Sequence, residues 1–143
     1  RPRMLKRDDT FAVLDRNGDA LAVPGGPEGL YHRDTRHLSR LELRLAGARP
    51  LLLSSGVSDD GAVLTCDLTN PDIPGGGDGG AQQQALERDQ CHVRRSKFLR
   101  NGICFERITV RNHAERPLTL PLELALRARV YRRARWAAAA VLP

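Results

Sequence analysis

The chain has 143 residues, of which 41% are hydrophobic, 28% are charged and only six are aromatic, with a formal charge of +6. That length suits one domain with a core of its own and needs no second, and leucine and valine supply most of the apolar bulk. The charge does not by itself mark a nucleic-acid binder, because residues 127–143 hold five arginines and no acid while the first 126 carry 18 basic against 17 acidic side chains.

Three cysteines, Cys66, Cys91 and Cys104, are odd in number and form no CxxC pair. Buried reduced thiols and a cytoplasmic setting fit this better than a disulfide framework. The N-terminal RPRMLKRDD lacks the apolar core of a signal peptide, and AAAAVL near the end is far too short to span a bilayer. A soluble protein is expected, and a start at Arg1 rather than Met fits a sequence that begins inside a longer reading frame or lacks its start.

Strand signals dominate the order of elements. Phe11 to Leu14 and Ala20 to Val23 are short apolar runs separated by Arg16-Asn17-Gly18-Asp19, where Asn-Gly supplies the positive φ angles of a tight hairpin. Arg40 to Leu45 alternates with period two, so Leu41, Leu43 and Leu45 share one face. After Ala46 to Pro50, Leu51 to Leu53 opens the next strand, Asp59-Asp60-Gly61 turns into Ala62 to Leu68, and Asn70-Pro71 closes it. Two hairpins in succession predict a meander.

PGGGDGG, Pro74 to Gly80, predicts a flexible surface loop, with a helical turn over the following glutamines. Cys91 to Leu99 and Ile103 to Arg111 flank Asn101-Gly102, a second hairpin signal. Leu118 to Leu126 alternates through a final strand in which Pro121 favours an edge or a bulge. The sum is an all-β, antiparallel β-sandwich of about 8–9 strands over residues 1–126, followed by an atypical Arg/Ala-rich tail over 127–143, read as helical or disordered.

Motifs for chemistry are weak. Gly75 to Gly80 formally satisfies GxGxxG, but no strand–helix unit surrounds it, so no cofactor is expected. Asp15 to Asp19 resembles a calcium loop, yet the glycine comes one residue early and Gly26 stands where a twelfth-position Glu should. His32, His37, His92 and His113 lack zinc-ligand spacing, and no GxSxG or Cys–His context is present, so neither a metal nor a nucleophile is expected. Glu28, Asp34 and Glu106 are carboxylates without a signature for sugar hydrolysis. Glu106 falls in phase with Cys104, Ile108 and Val110, so it needs an ion partner, which an arginine can supply.

The remaining cluster is Tyr31, His32, Arg33, Asp34, Thr35 and Arg36, directly before the alternating strand. Such groups can fix a corner of the sheet, or face a partner domain through arginine forks and carboxylates. On residues alone the corner is favoured.

DTFAVLDRNGD (Asp9 to Asp19), GLYHRDTRHLSRLELRL (Gly29 to Leu45), PLLLSSGVSDDGAVLTCDLTNPD (Pro50 to Asp72) and RRSKFLRNGICFERITVRNHAERPLTLPLELAL (Arg94 to Leu126) resemble, in that order, the N-terminal domain of bacterial glycogen debranching enzymes of the amylo-α-1,6-glucosidase type. The resemblance implies a non-catalytic β domain that precedes an (α/α) toroid holding the catalytic carboxylates, so no catalytic residue is carried over. It also shifts the HRDTRHLS block toward packing on that toroid, in cis or in trans, or toward shaping a substrate cleft. After Leu126 the chain departs from the family pattern, which fits a frameshifted or truncated gene product. Two rival expectations stand beside this one. An α-glucan site would use aromatic faces, though a core could claim most of Phe11, Tyr31, Phe98, Phe105, Tyr131 and Trp136. Nucleic-acid or membrane binding would use the arginines of the tail.

Overall fold

A computed structural model describes residues 2–76, 84–128 and the backbone of 137–141. Its strands are β1 (Arg3–Arg7), β2 (Thr10–Leu14), β3 (Gly29–His32), β4 (Thr35–Leu45), β5 (Leu51–Val57), β6 (Val63–Thr69), β7 (Cys91–Arg100), β8 (Ile103–Asn112), β9 (Leu122–Ala128) and β10 (Ala137–Val141). They form two sheets, ordered β1-β2-β3-β4-β9 and β10-β8-β7-β6-β5. Pairing among β1–β9 is antiparallel throughout, and a single buried cluster draws residues from both sheets, so the all-β sandwich expected from the sequence is borne out.

Period two places the core. Leu41, Leu43 and Leu45 of β4 face inward as expected, opposite Leu64, Cys66 and Leu68 of β6 and Val93 and Leu99 of β7 in the same cluster. The β5–β8 meander is present, closed by Ser58 to Ala62 and by Asn101-Gly102, both of the latter at positive φ as a two-residue hairpin turn requires. Buried Asn70 ends β6. Its Oδ1 accepts from the amides of Gln90 (3.0 Å) and Cys91 (2.7 Å), and its Nδ2 donates to the Glu87 carbonyl (2.7 Å), pinning the base of the long 71–90 connection. Residues 77–83, most of the glycine run and two of its glutamines, lie outside the described residues.

Several expectations differ from the structure. The runs 11–14 and 20–23 do not pair with one another: β2 lies between β1 and β3, and Ala20 bridges Leu41 of β4. The intervening loop is instead held by charges in the core. Likewise β4 and β5 form no hairpin, because the chain crosses between sheets at Ala46 to Pro50. β1 and β3 carry no clear alternation, so no period-two signal predicts them. The final strand starts at Leu122, after Pro121, and lies at a sheet edge as proline favours. It runs through Ala128, two residues into the segment assigned to the tail. Ala137–Val141 is extended rather than helical, because pairing parallel to β8 satisfies that strand's open edge.

The sandwich interior holds ions as well as leucine. Arg95 and Lys97 of β7 and Glu106 of β8 point inward and are almost wholly buried, and the Asp15 to Asp19 loop inserts to meet them. Arg95 donates to Glu106 Oε1 (2.6 Å), Asp19 Oδ1 (2.5 Å) and the Asn17 carbonyl (2.9 Å). Lys97 donates to the Gly18 carbonyl and lies 3.3 Å from Glu106. Asp19 also accepts from the Leu43 amide (3.1 Å) and from Arg49, which binds Asp15 as well. Gly18 is required here: its φ is +81°, and a Cβ would stand 3.2 Å from both Cys66 Sγ and Lys97 Nζ. The ion partner expected for Glu106 is thus present, with a lysine added.

Burial would raise the Glu106 carboxyl, but Lys97 and Arg95 outweigh it and hold the group below its ordinary value. Burial, reinforced by repulsion from Arg95, lowers the Lys97 ammonium. A depressed carboxyl stabilises the fold above its unfolded value, and that contribution is lost as pH falls through the folded value. Stability is therefore expected to drop as pH falls below about 4.5, the ordinary glutamate value. Glu106→Gln should cost about 3–5 kcal/mol at pH 7 and flatten that acid loss, whereas adding Lys97→Met should recover part of the deficit, because Arg95 keeps Asp19 as its counterion. Urea titrations from pH 3 to 7 check both expectations.

Candidate interdomain site

The Tyr31 to Arg36 segment is a β-hairpin corner. His32 pairs with Thr35, and between them Arg33 (φ 49°) and Asp34 (φ 63°) both take left-handed backbone, the geometry of a type I′ turn. Neither is glycine or asparagine, so the turn carries a backbone cost that a plain structural turn would shed. The corner reading holds for the backbone, and the chemistry of the side chains needs a separate account.

Each side chain goes to a different place. Tyr31 faces outward, stacked on Phe11 of β2 with ring centres 4.5 Å apart, and its hydroxyl donates to the Pro27 carbonyl (2.6 Å). His32 faces inward, with Nδ1 2.8 Å from Thr10 Oγ1 and its ring against the turn at Gly102, so the corner abuts the β7–β8 hairpin of the other sheet. The Arg33 amide donates to the Asp9 carbonyl (3.0 Å), and its guanidinium makes only an exposed 3.9 Å ion pair with Asp9, worth little in water.

Arg36 donates to the Gly26 (2.9 Å) and Glu28 (3.4 Å) carbonyls. Its stem lies over Gly29, where a Cβ would run into the Leu38 carbonyl oxygen and approach Arg36 Cδ to 2.8 Å, so only glycine fits. Asp34, Thr35 and Arg36 then line one cleft of about 540 Å³ with His37, Ser39, Arg127 and Ala128.

Two bulges build that cleft. Opposite β3 the register slips between Leu30 and Tyr31, leaving His37 as the extra residue of β4. Opposite β9 it slips between Leu38 and Arg40, leaving Ser39 as the second. Bulges bend a strand and re-aim its side chains, and here they turn the start of β4 toward the end of β9. Ser39 Oγ reaches the Arg127 carbonyl (3.5 Å) across 88 residues of sequence. His37 and Ser39 belong to the HRDTRHLS block that the resemblance marks for docking, whereas Arg127 falls by sequence only in the basic tail, and no local pattern places it here, because its partner strand is so distant.

The other chemical candidates are scattered. Glu106 is spent on Arg95 and Lys97, Glu28 accepts from the Leu21 amide (2.9 Å), and Asp34 sits on the exposed turn. Cys66, Cys91 and Cys104 are free and buried, and desolvation pushes each thiol up, Cys104 to about 11. Among the described residues no group of three or more His, Cys, Asp or Glu gathers as for a metal, and no helix is long and apolar enough to cross a membrane. The described aromatics are not core residues: Phe11, Tyr31, Phe98 and Phe105 all keep solvent contact, while Tyr131 and Trp136 lie outside the described residues. The four form two stacked cross-strand pairs, with Phe98 and Phe105 5.0 Å apart, so each ring spends a face on its neighbour.

Replacing Asp34 by Gly should raise stability by about 0.5–1 kcal/mol, because it removes a left-handed Cβ from the turn. Thermal or urea denaturation checks the gain, and a loss would mean that the Asp34 side chain supports the corner.

No curated protein and no solved structure matches the chain. Residues 5–129 match the family model described as the N-terminal domain of (some) glycogen debranching enzymes, a span that runs from within β1 through β9 and takes in the buried ion cluster and the cleft. By that match the chain belongs to the family of glycogen debranching enzyme N-terminal domains.

Proposed function

We propose that this domain is non-catalytic and acts as a docking and cleft-shaping module for an (α/α) toroid glycosidase domain, met in cis or in trans, in cytoplasmic α-glucan metabolism. The observation that carries this reading is the placement of the charged β3–β4 corner. It stands beside the end of β9, where the family match stops and a following domain would join. A turn that retains Arg33 and Asp34 at left-handed positions fits a segment kept for contact rather than for its own stability. The dispersal of Glu28, Asp34 and Glu106 supports the absence of an acid–base pair, which glycoside hydrolysis needs on opposite sides of one bond. Three buried thiols fit a reducing compartment.

A stand-alone α-glucan site has less support, because sugar rings stack on free aromatic faces and these rings face one another. Nucleic-acid binding through the tail loses Arg127 to β9, and the other four arginines lie outside the described residues.

In a family member that carries both domains, alanine at the position matching Arg36 should split a joint unfolding transition into two and lower turnover about tenfold or more. Unchanged melting and unchanged turnover would overturn the docking role.

A further inference from the structure

We propose that the cleft between the β3–β4 corner and the end of β9 receives an acidic protein segment, with the Arg127 and Arg36 guanidinium groups as its carboxylate ligands. This rests on the docking reading above and names the chemistry of the partner at that site.

The outer face of the β4–β9 pair shows the imbalance. Across the two strands Arg44 stands opposite Glu123, Glu42 opposite Ala125, and Arg40 opposite Arg127. Like charges directly opposite one another destabilise a sheet, so the last pair calls for an anion. Glu42 serves Arg40 (3.0 Å) and is shared with Arg44 (3.2 Å), so the guanidinium left without an anion in that pair is Arg127. Hydrogen bonding from Arg40 first, then from Arg44 against the cost of burial, holds the Glu42 carboxyl below the ordinary value. Among the described residues neither Arg36 nor Arg127 has an ion pair, although both line the cleft. Asp34 shares the lining without closing on either.

The lining also selects among anions. Guanidinium groups match planar carboxylates, Arg127 with its whole fork and Arg36 with Nη2 and Nε, since its Nη1 is held by the Gly26 and Glu28 carbonyls, and the Thr35 hydroxyl in the lining adds a polar contact. Asp34 at the rim opposes a dense polyanion such as nucleic acid. A neutral glucan would find no Phe, Tyr or Trp ring among the lining residues and would leave the excess positive charge unmatched. The tail of this chain contains no acid, so the carboxylates must come from another segment or another polypeptide.

The test uses the full chain, isotope-labelled, at low ionic strength, titrated in parallel with a hexaglutamate peptide, a hexaglutamine peptide and inorganic phosphate while backbone amide shifts are followed. Hexaglutamate should shift the amides of residues 35–40 and 127–128, and hexaglutamine should not. Arg127→Gln, a change at an exposed position of an edge strand, should weaken binding about tenfold, the loss of one charge-assisted contact. Asp34→Ala should tighten it, a result that mere loss of structure would not produce. Absence of cleft shifts with hexaglutamate, or equal affinity in Arg127→Gln, would overturn the proposal. Phosphate binding as tightly as the peptide would also overturn it, in favour of a small-anion site. Because these readouts involve no second domain, they fail or succeed independently of the two-domain melting experiment.

Discussion

Arg95, Lys97 and Glu106 lie on the inner faces of β7 and β8, where a β-sandwich ordinarily places aliphatic side chains. A buried charge is tolerated only with partners that replace its lost water, and two cations against one carboxylate are not balanced within their own sheet. The Asp15 to Asp19 loop completes the set, bringing the Asp19 carboxylate and the Asn17 and Gly18 carbonyls between the layers. Through Asp19 the same cluster holds the Leu43 amide of the opposite sheet. The cluster therefore fixes how the two sheets and the loop sit against one another. Its contribution is better described as specificity than as net stability, since an apolar replacement of equal volume is often no less stable.

That frame sets the position of the charged edge. With the 15–19 loop drawn inward and Ala20 bridged to Leu41, β3 reaches along β4 only from Thr35 to Leu38, and β9 takes the other side of that strand. The two bulges of β4 fall within three residues, so the phase of its buried leucines steps from Leu38 to Leu41 while the polar side chains between them gather at one rim. A shape suited to contact thus arises from the irregular end of an otherwise regular strand. Its regular end belongs to the core.

The distribution of aromatic residues follows from the same packing. Leucine-dominated inner faces leave room for the ion cluster, and the rings are placed on the outer faces as cross-strand pairs. There they stiffen adjacent strands, a role that consumes the ring faces a sugar would need. The pair formed by Tyr31 and Phe11 also braces the corner from outside, while His32 braces it from within against the hairpin turn at Gly102.

Period-two alternation, Asn101-Gly102 and Asp59-Asp60-Gly61 determined the strands β5 to β8 and the inward face of β4 from sequence alone, because a strand's faces and a two-residue turn's φ angles are local properties. The ordered blocks from Asp9 to Leu126 determined the family, and the phase of Glu106 determined that it needed a buried ion partner. The sequence could not tell that Asn17-Gly18 belongs to an inserted loop rather than a hairpin, since Asn-Gly suits either, here with only Gly18 at positive φ, and the choice is made by Arg95 and Lys97 nearly eighty residues away. Nor could it place Arg127 beside Arg36 and Arg40, because cross-strand neighbours are set by sheet order and by bulges that slip the register, which only the assembled tertiary structure decides.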